Sequence, residues 1–294
     1  MSRVLLTGAT GFLGRHVAGR LLAAGHEVHA VTTGEPRDDA LVWHRADLLA
    51  ATDVVPTVRP EVLVHLAWYV EHGKFWSAPE NVRWVEASLA LLRAFAAAGG
   101  QRAVLAGTCA EYDWTDLGDR CEELATPLRP ATLYGAAKHG LHTVAAGFAE
   151  QAGFELAWGR IFFIYGAGEP AGRLVPGVGR ALLAGEQVPT TRGDQVRDFL
   201  HVSDAAAAFA ALASGHVTGP VNIGSGEPVA VREVVERLAA IAGAPELPRF
   251  GALPERPGDP PRLVADARRL REEVGVVPLV GLDEGLARSL EALR

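Results

Sequence analysis

Val4-Leu5-Leu6-Thr7-Gly8-Ala9-Thr10-Gly11-Phe12-Leu13-Gly14 stands at the very head of the chain. The run Val4-Leu5-Leu6 has the composition of a short buried strand, and the alanine- and leucine-rich stretch after Gly14 has that of a helix. The glycines between them fall three apart (Gly8, Gly11, Gly14), unlike the two-then-three spacing of the common dinucleotide fingerprint. A turn without side chains lets a phosphate approach the backbone. The helix that follows points its first amides and positive dipole end at that phosphate. Strand, turn and helix together predict a nucleotide-binding site.

Outward from this motif, strand-like and helix-like segments alternate: strand 27–32, strand near 42–44, helix 52–58, strand 61–66, helix about 80–98, strand 102–107, helix 131–152 and strand 154–162. The alternation predicts an α/β fold, a Rossmann-like doubly wound parallel sheet with helices on both faces. From 166 onward Gly and Pro become frequent, and helices near 173–184, 203–213 and 230–242 stand between irregular stretches. We read a dinucleotide-binding domain over 1–165 plus about 194–224, and a smaller, interleaved substrate lobe over 166–193 and 225–294. Ligands of such folds lie outside the carboxyl ends of the strands, so the cleft between the lobes is the expected site.

Composition narrows the classes. The 294 residues are 49% hydrophobic, yet no stretch approaches an uninterrupted apolar span of the roughly 20 residues that cross a bilayer. Strand residues begin at once, which leaves no room for a signal peptide. The two cysteines, Cys109 and Cys121, make neither a disulfide framework nor a metal cluster. The expectation is a cytoplasmic protein with no membrane partner and no metal. A formal charge of −7 argues against nucleic acid. An anionic substrate would need specific arginines to hold it against that field.

Tyr134 and Lys138 lie four apart at the start of a predicted helix, hence on one face. An ammonium beside a phenol is expected to lower the phenol pKa and make it a proton donor or acceptor near neutrality. Thr108 ends the apolar strand 103–106 at its carboxyl end, where a hydroxyl can hydrogen-bond a substrate oxygen. The expected catalytic set is Thr108, Tyr134 and Lys138.

With these residues the chain resembles an extended short-chain dehydrogenase/reductase of the nucleotide-sugar epimerase/dehydratase family. The motifs run in register. They are Thr7 to Gly14, Asp47-Leu48, His65-Leu66-Ala67, Gly107-Thr108-Cys109-Ala110-Glu111-Tyr112, Tyr134-Gly135-Ala136-Ala137-Lys138, Arg160 to Gly166, Arg197 to Asp204, Asn222 to Gly226, and Arg256-Pro257-Gly258-Asp259. The resemblance implies that Gly8, Thr10, Gly11, Phe12, Leu13, Gly14, Asp47, Leu48, Leu66, Ala67 and Lys138 hold the cofactor. It also implies that Arg197 and Arg256 clamp a substrate diphosphate, as guanidinium forks suit phosphate oxygens. Trp68, Cys109, Ala110, Glu111 and Phe163 complete the expected substrate contacts. A homodimer through the helices about 80–98 and 131–152 is implied too.

Departures refine the reading. NAD-preferring members carry an acid at the end of the second strand; here Thr32-Thr33 stand there, with Arg37 shortly after. Two hydroxyls and an arginine suit a 2′-phosphate, so NADP is preferred over NAD. Dehydratases follow the catalytic Thr with Asp-Glu, whereas Cys109-Ala110 cannot act as carboxylic acids. Phe163 and Trp84 stand where many members carry Asn. Glu111 before Tyr112 resembles the Ser-Glu-Glu-Tyr element of reductases that act on 4-keto-6-deoxy nucleotide sugars. The leading expectation is therefore an NAD(P)H-dependent ketoreductase acting at C4 of such a nucleotide-diphosphate sugar, with Tyr134 as proton donor. A 4-epimerase using the same residues is the alternative, and a non-catalytic dinucleotide sensor a remote one.

Overall fold

The computed structural model describes residues 1–36 and 40–294. Its strands are β1 (Arg3–Thr7), β2 (Glu27–Thr32), β3 (Val42–Arg45), β4 (Val62–His65), β5 (Arg102–Thr108), β6 (Glu155–Ile161), β7 (Phe163–Tyr165), β8 (Val188–Pro189), β9 (Val196–His201), β10 (Gly219–Ile223), β11 (Pro228–Ala230), β12 (Pro248–Arg249) and β13 (Arg262–Leu263). The helices are α1 (Phe12–Ala23), α2 (Val54–Val58), α3 (Glu80–Ala97), α4 (Leu133–Ala152), α5 (Leu174–Leu183), α6 (Val202–Ser214), α7 (Val231–Ala242), α8 (Arg268–Glu272) and α9 (Leu282–Glu291).

Seven strands form one parallel sheet in the order β3-β2-β1-β4-β5-β6-β10. The chain runs outward from β1 to β3, then returns to lay β4 on the other side of β1. That reversal opens a crevice at the carboxyl ends of β1 and β4, where Thr7 and His65 are register partners. Side chains alternate across the sheet, which is why its strands read as unbroken apolar runs. Val4, Leu6, Val64 and Val104 pack with Val17 and Leu21 of α1 and Phe209 and Leu212 of α6. Leu5, Leu63, Ala103 and Leu105 pack on the opposite face with Leu91 and Phe95 of α3 and Leu141 of α4. This is the Rossmann-like α/β fold.

The strand expected over 154–162 is β6, and a further strand follows it at once. β6 stops at Ile161, the Phe162 amide donates to the Ile223 carbonyl at 3.0 Å, and the chain restarts as β7 in another sheet. There β9 is central, parallel to β7 and β13 and antiparallel to β11. β7 and β9, both assigned by sequence to the dinucleotide domain, thus belong to the smaller sheet, while β10 joins the large one. A separate apolar core lies among α5, α7 and α9, with Val178, Leu182, Val234, Leu238, Leu286 and Leu290. The sequence reading has no counterpart for α9. α4 starts two residues later than expected, because the Thr132 hydroxyl caps it by accepting the Gly135 amide at 3.1 Å. No helix among the described residues is long and apolar enough to cross a membrane.

Candidate active site

The glycine turn is shaped by close approach. Gly8 has φ of 73°, and a Cβ there would lie 2.8 Å from the Ala67 nitrogen. A Cβ on Gly14 would lie 1.9 Å from the Gly8 carbonyl oxygen. Gly11 is the N-cap of α1 and brings no side-chain acceptor, and the first turn of the helix holds no acid. The first α1 amides therefore lack the side-chain oxygen that usually caps them, so the residues fit a dinucleotide diphosphate. Thr10 and Phe12 are half-buried at this turn, and Leu13 is in the core.

A hydrogen-bond chain runs under the turn. The Ser88 hydroxyl donates to the Trp84 carbonyl at 2.6 Å, so it accepts from His65 Nε2 at 2.8 Å. His65 Nδ1 then accepts from the Thr7 hydroxyl at 2.7 Å, and Thr7 Oγ1 accepts the Leu66 and Ala67 amides, each at 3.2 Å. Burial, and secondarily the Lys138 charge, push the His65 pKa down to about 3, so the ring is neutral. The chain fastens the ends of β1 and β4 to α3.

At the far end of β2, Thr32 is buried with its hydroxyl accepting the Gly34 amide at 3.1 Å, while Thr33 is exposed. Arg45, the register partner of Thr32, pairs with Glu35 at 3.1 Å. Arg37 lies outside the described residues. Asp47 is exposed and its Oδ1 accepts the Leu49 amide at 3.0 Å. Leu48 packs in the core with Leu5 and Leu63.

The three expected catalytic residues come from two elements. Thr108 ends β5 and caps the short 3-10 turn Cys109–Glu111, its hydroxyl accepting the Ala110 amide at 3.2 Å. Tyr134 and Lys138 lie on successive turns of α4. The Lys138 ammonium donates to the Ala106 carbonyl at 2.8 Å and sits 3.6 Å from the centre of the Trp68 ring. Burial lowers its pKa to about 7, against a smaller upward pull from Glu111. Tyr134 departs from expectation. Burial raises its phenol pKa, and this outweighs the downward pulls of a Thr108 hydrogen bond and the Arg173 charge. The Tyr134 ring meets Phe75 and Trp76 edge-on, at 4.9 and 5.9 Å between centres, and its amide donates to the Trp76 carbonyl at 3.1 Å.

Several expected substrate contacts belong to the scaffold instead. The Glu111 carboxylate is wholly buried and accepts the Thr108 amide at 2.8 Å, the Trp158 indole at 2.9 Å and Arg160 Nε at 3.0 Å. Trp68 is buried beneath Lys138, its indole N–H donating to Asn81 Oδ1 at 2.8 Å. Ala110 is buried, and Cys109 packs with Tyr112, Cys121 and Phe162, its thiol pKa raised by burial. Arg197 is also buried. Its guanidinium donates to Asp259 at 2.6 Å and to the Val196 carbonyl at 2.9 Å, and lies 5.5 Å from the Phe163 ring centre. Phe163 is half-buried. Arg256 alone of the expected clamp is exposed and unpaired among the described residues.

Arg173 escapes the sequence reading. It is the N-cap residue of α5 and pairs with Glu169 at 3.1 Å, and its charge pulls downward on the pKa values of Tyr134 and His72, a pull that burial outweighs at Tyr134. Burial chiefly, and then the charges of Arg173 and Arg256, lower the His72 pKa. A basic N-cap directly before an apolar helix was the available signal. Glu111, His139 and His142 offer ligand atoms within 4.8 Å of one another. Arg160 already neutralises that carboxylate and its charge also faces His142, so the cluster is ill suited to a cation.

The comparisons agree with this geometry. Residues 4–224 match the model of the NAD dependent epimerase/dehydratase family. UDP-glucose 4-epimerase of Azospirillum brasilense is 31% identical, with 98% of this chain and 90% of that protein covered. UDP-glucuronic acid decarboxylase 1 of Xenopus tropicalis is 28% identical over 99% of this chain and 72% of its own. The solved UDP-glucose 4-epimerase of Thermus thermophilus, in complex with NAD, superposes with a TM-score of 0.87 at 28% identity, covering 99% of each chain. Glycine turn, Tyr-Lys helix and doubly wound sheet coincide with a match across three quarters of the molecule, and this chain belongs to the NAD dependent epimerase/dehydratase family.

Proposed function

We propose that this protein is a nucleotide-sugar 4-epimerase that exchanges hydride at C4 of a nucleotide-diphosphate hexose. The observation that carries the reading is the meeting of Thr108, Tyr134 and Lys138 at the carboxyl end of β5, beside a glycine turn open to a diphosphate. A bound nicotinamide dinucleotide supplies hydride acceptance and return. The Thr108 hydroxyl holds the C4 oxygen and Tyr134 exchanges its proton. Lys138 would help to hold the nicotinamide ribose. Arg173 and Arg256 receive the sugar diphosphate, a role Arg197 leaves to them by pairing with Asp259. The relatives that act on UDP-sugars support this substrate class. A homodimer through α3 and α4, where Val82 and Val144 are exposed, belongs to the same proposal, as does the two-lobed division of the chain.

A second reading rests on two observations. Burial raises the Tyr134 phenol pKa, the direction that suits a proton donor to a ketone, and β2 ends in Thr32-Thr33 without a carboxylate. Both favour an NADPH-dependent 4-ketoreductase. One experiment separates the readings. The purified protein is denatured and its released cofactor identified; separate samples receive UDP-glucose, or a 4-keto-6-deoxy nucleotide sugar with NADPH or NADH. Retained NAD and appearance of the C4 epimer establish the epimerase. Stoichiometric loss of reduced cofactor establishes the reductase and settles its cofactor preference.

A further inference from the structure

Lys138 is one of two lysines in a chain with 28 basic residues, Lys74 being the other. It is buried, and among the described residues its ammonium has no carboxylate at contact distance. Its contacts are the Ala106 carbonyl at 2.8 Å and the face of Trp68 at 3.6 Å. A cation centred on an indole face lies well inside the roughly 6 Å over which the ring quadrupole attracts it, and burial strengthens that attraction by removing water. The ring is itself fixed. Asn81, fully buried, accepts the Trp68 indole proton and donates to the Phe75 and Ala78 carbonyls at 2.7 and 2.9 Å. One amide thus ties the ring under Lys138 to the segment whose Phe75 and Trp76 flank Tyr134. Trp84 lies 6.1 Å from Trp68 and backs it.

We infer that Trp68 is the positioning residue of Lys138: its indole face, locked by Asn81, holds the ammonium beside the Ala106 carbonyl and keeps it charged in a dry site. The inference rests on the reading of Lys138 as a functional group. The titratable groups facing Lys138 are His65 from β4, Glu111 from the turn after β5, and Tyr134 one turn earlier on its own helix. His65 is neutral and Glu111 is already neutralised by Arg160. Removing the Trp68 ring therefore leaves the charge only the Ala106 carbonyl and the weakened pull of Glu111.

The test is direct because two lysines give two signals. Protein labelled with carbon-13 at lysine Cε is titrated by NMR without cofactor, with Lys74→Arg assigning the resonances. Trp68→Leu is expected to move the Lys138 titration to lower pH, equivalent to about a thirtyfold loss of the charged form. Trp68→Phe, which keeps a π face, is expected to move it less. The alkaline limb of kcat should shift acidward in the same order. An unmoved Lys138 titration in Trp68→Leu overturns the inference, even where kcat falls uniformly with pH. Should the leucine variant not fold, fluorotryptophan-labelled protein serves, with labelled Trp68→Phe as control for the other indoles. A limb that does not track ring fluorination then overturns it. If Tyr134→Phe turns over normally, it is the catalytic reading that fails; if that variant is inactive and the Lys138 titration is unmoved, the inference alone fails.

Discussion

Glu111 and Arg160 form an ion pair sealed from water, Oε2 to Nε at 3.0 Å, and the same carboxylate accepts the Thr108 amide. Thr108 is thereby anchored to β6 through the buried Glu111 carboxylate. Breaking a buried pair from one side leaves the other charge uncompensated and costs about 3–5 kcal/mol. Arg160→Met should lower the unfolding midpoint in urea by that free energy. Glu111→Gln should also destabilise, and should weaken kcat because Thr108 loses its charged acceptor. Equal stability of wild type and Arg160→Met would refute the strut.

Tyr134→Phe removes a single oxygen from the site. Loss of a positioned proton donor should reduce kcat by about 10²- to 10⁴-fold. Dinucleotide affinity, measured by fluorescence quenching or calorimetry, should stay near wild type, since the glycine turn is untouched. A sensor protein would lose neither.

Gly14→Ala puts a methyl group 1.9 Å from the Gly8 carbonyl oxygen. Neither α1 nor the turn has room to retreat, because the backbone itself is the obstacle. Overpacking of this kind costs about 1–3 kcal/mol or more. The variant should fold with a lowered midpoint and lose most dinucleotide binding, as equilibrium dialysis would reveal. Gly19→Ala, with nothing near its Cβ, is the control and should bind normally.

His65 carries a pH signature. Its folded pKa of about 3 lies below the ordinary 6.5, so the unfolded chain binds the extra proton between these values. Its contribution to stability is complete above pH 6.5 and is lost as pH falls toward 3. His65→Gln should be destabilised at neutral pH, because the bonds to Thr7 and Ser88 are disrupted, yet should show a shallower loss between pH 6 and 4. Thermal unfolding across that range measures both slopes, and parallel curves would contradict the assignment.

Arg173→Ala and Arg256→Ala should each raise KM for the nucleotide sugar about ten- to hundredfold, as expected for a charged hydrogen bond. Dinucleotide affinity should be unaffected. Arg197→Ala should instead act on stability, leaving Asp259 unpaired. A KM effect from Arg197 alone would reverse the roles drawn from the ion pair.

Much of this was legible from local pattern. The glycine spacing at 8, 11 and 14, the alternation of strands and helices through 162, and the Tyr134–Lys138 interval each encode geometry within a few residues, where backbone sterics and helix periodicity act directly. The placement of β7 in a second sheet was not, because it depends on pairing with β9, more than thirty residues further along the chain. Nor was α9, whose apolar residues gain meaning only against α5 and α7.

The sequence by itself determined the fold class, the phosphate turn and the three hydroxyl, phenol and ammonium groups of the site. Which polar side chains face the ligand was decided by tertiary structure alone. Glu111 and Arg197 read as substrate contacts on the family resemblance, and Trp68 as an aromatic loop residue able to stack on a sugar. Folding gave each a nearer partner, Arg160, Asp259 and Asn81. A charge or a polar edge buried in a low-dielectric interior must be matched there. Which partner matches it depends on segments that meet only once the chain has folded.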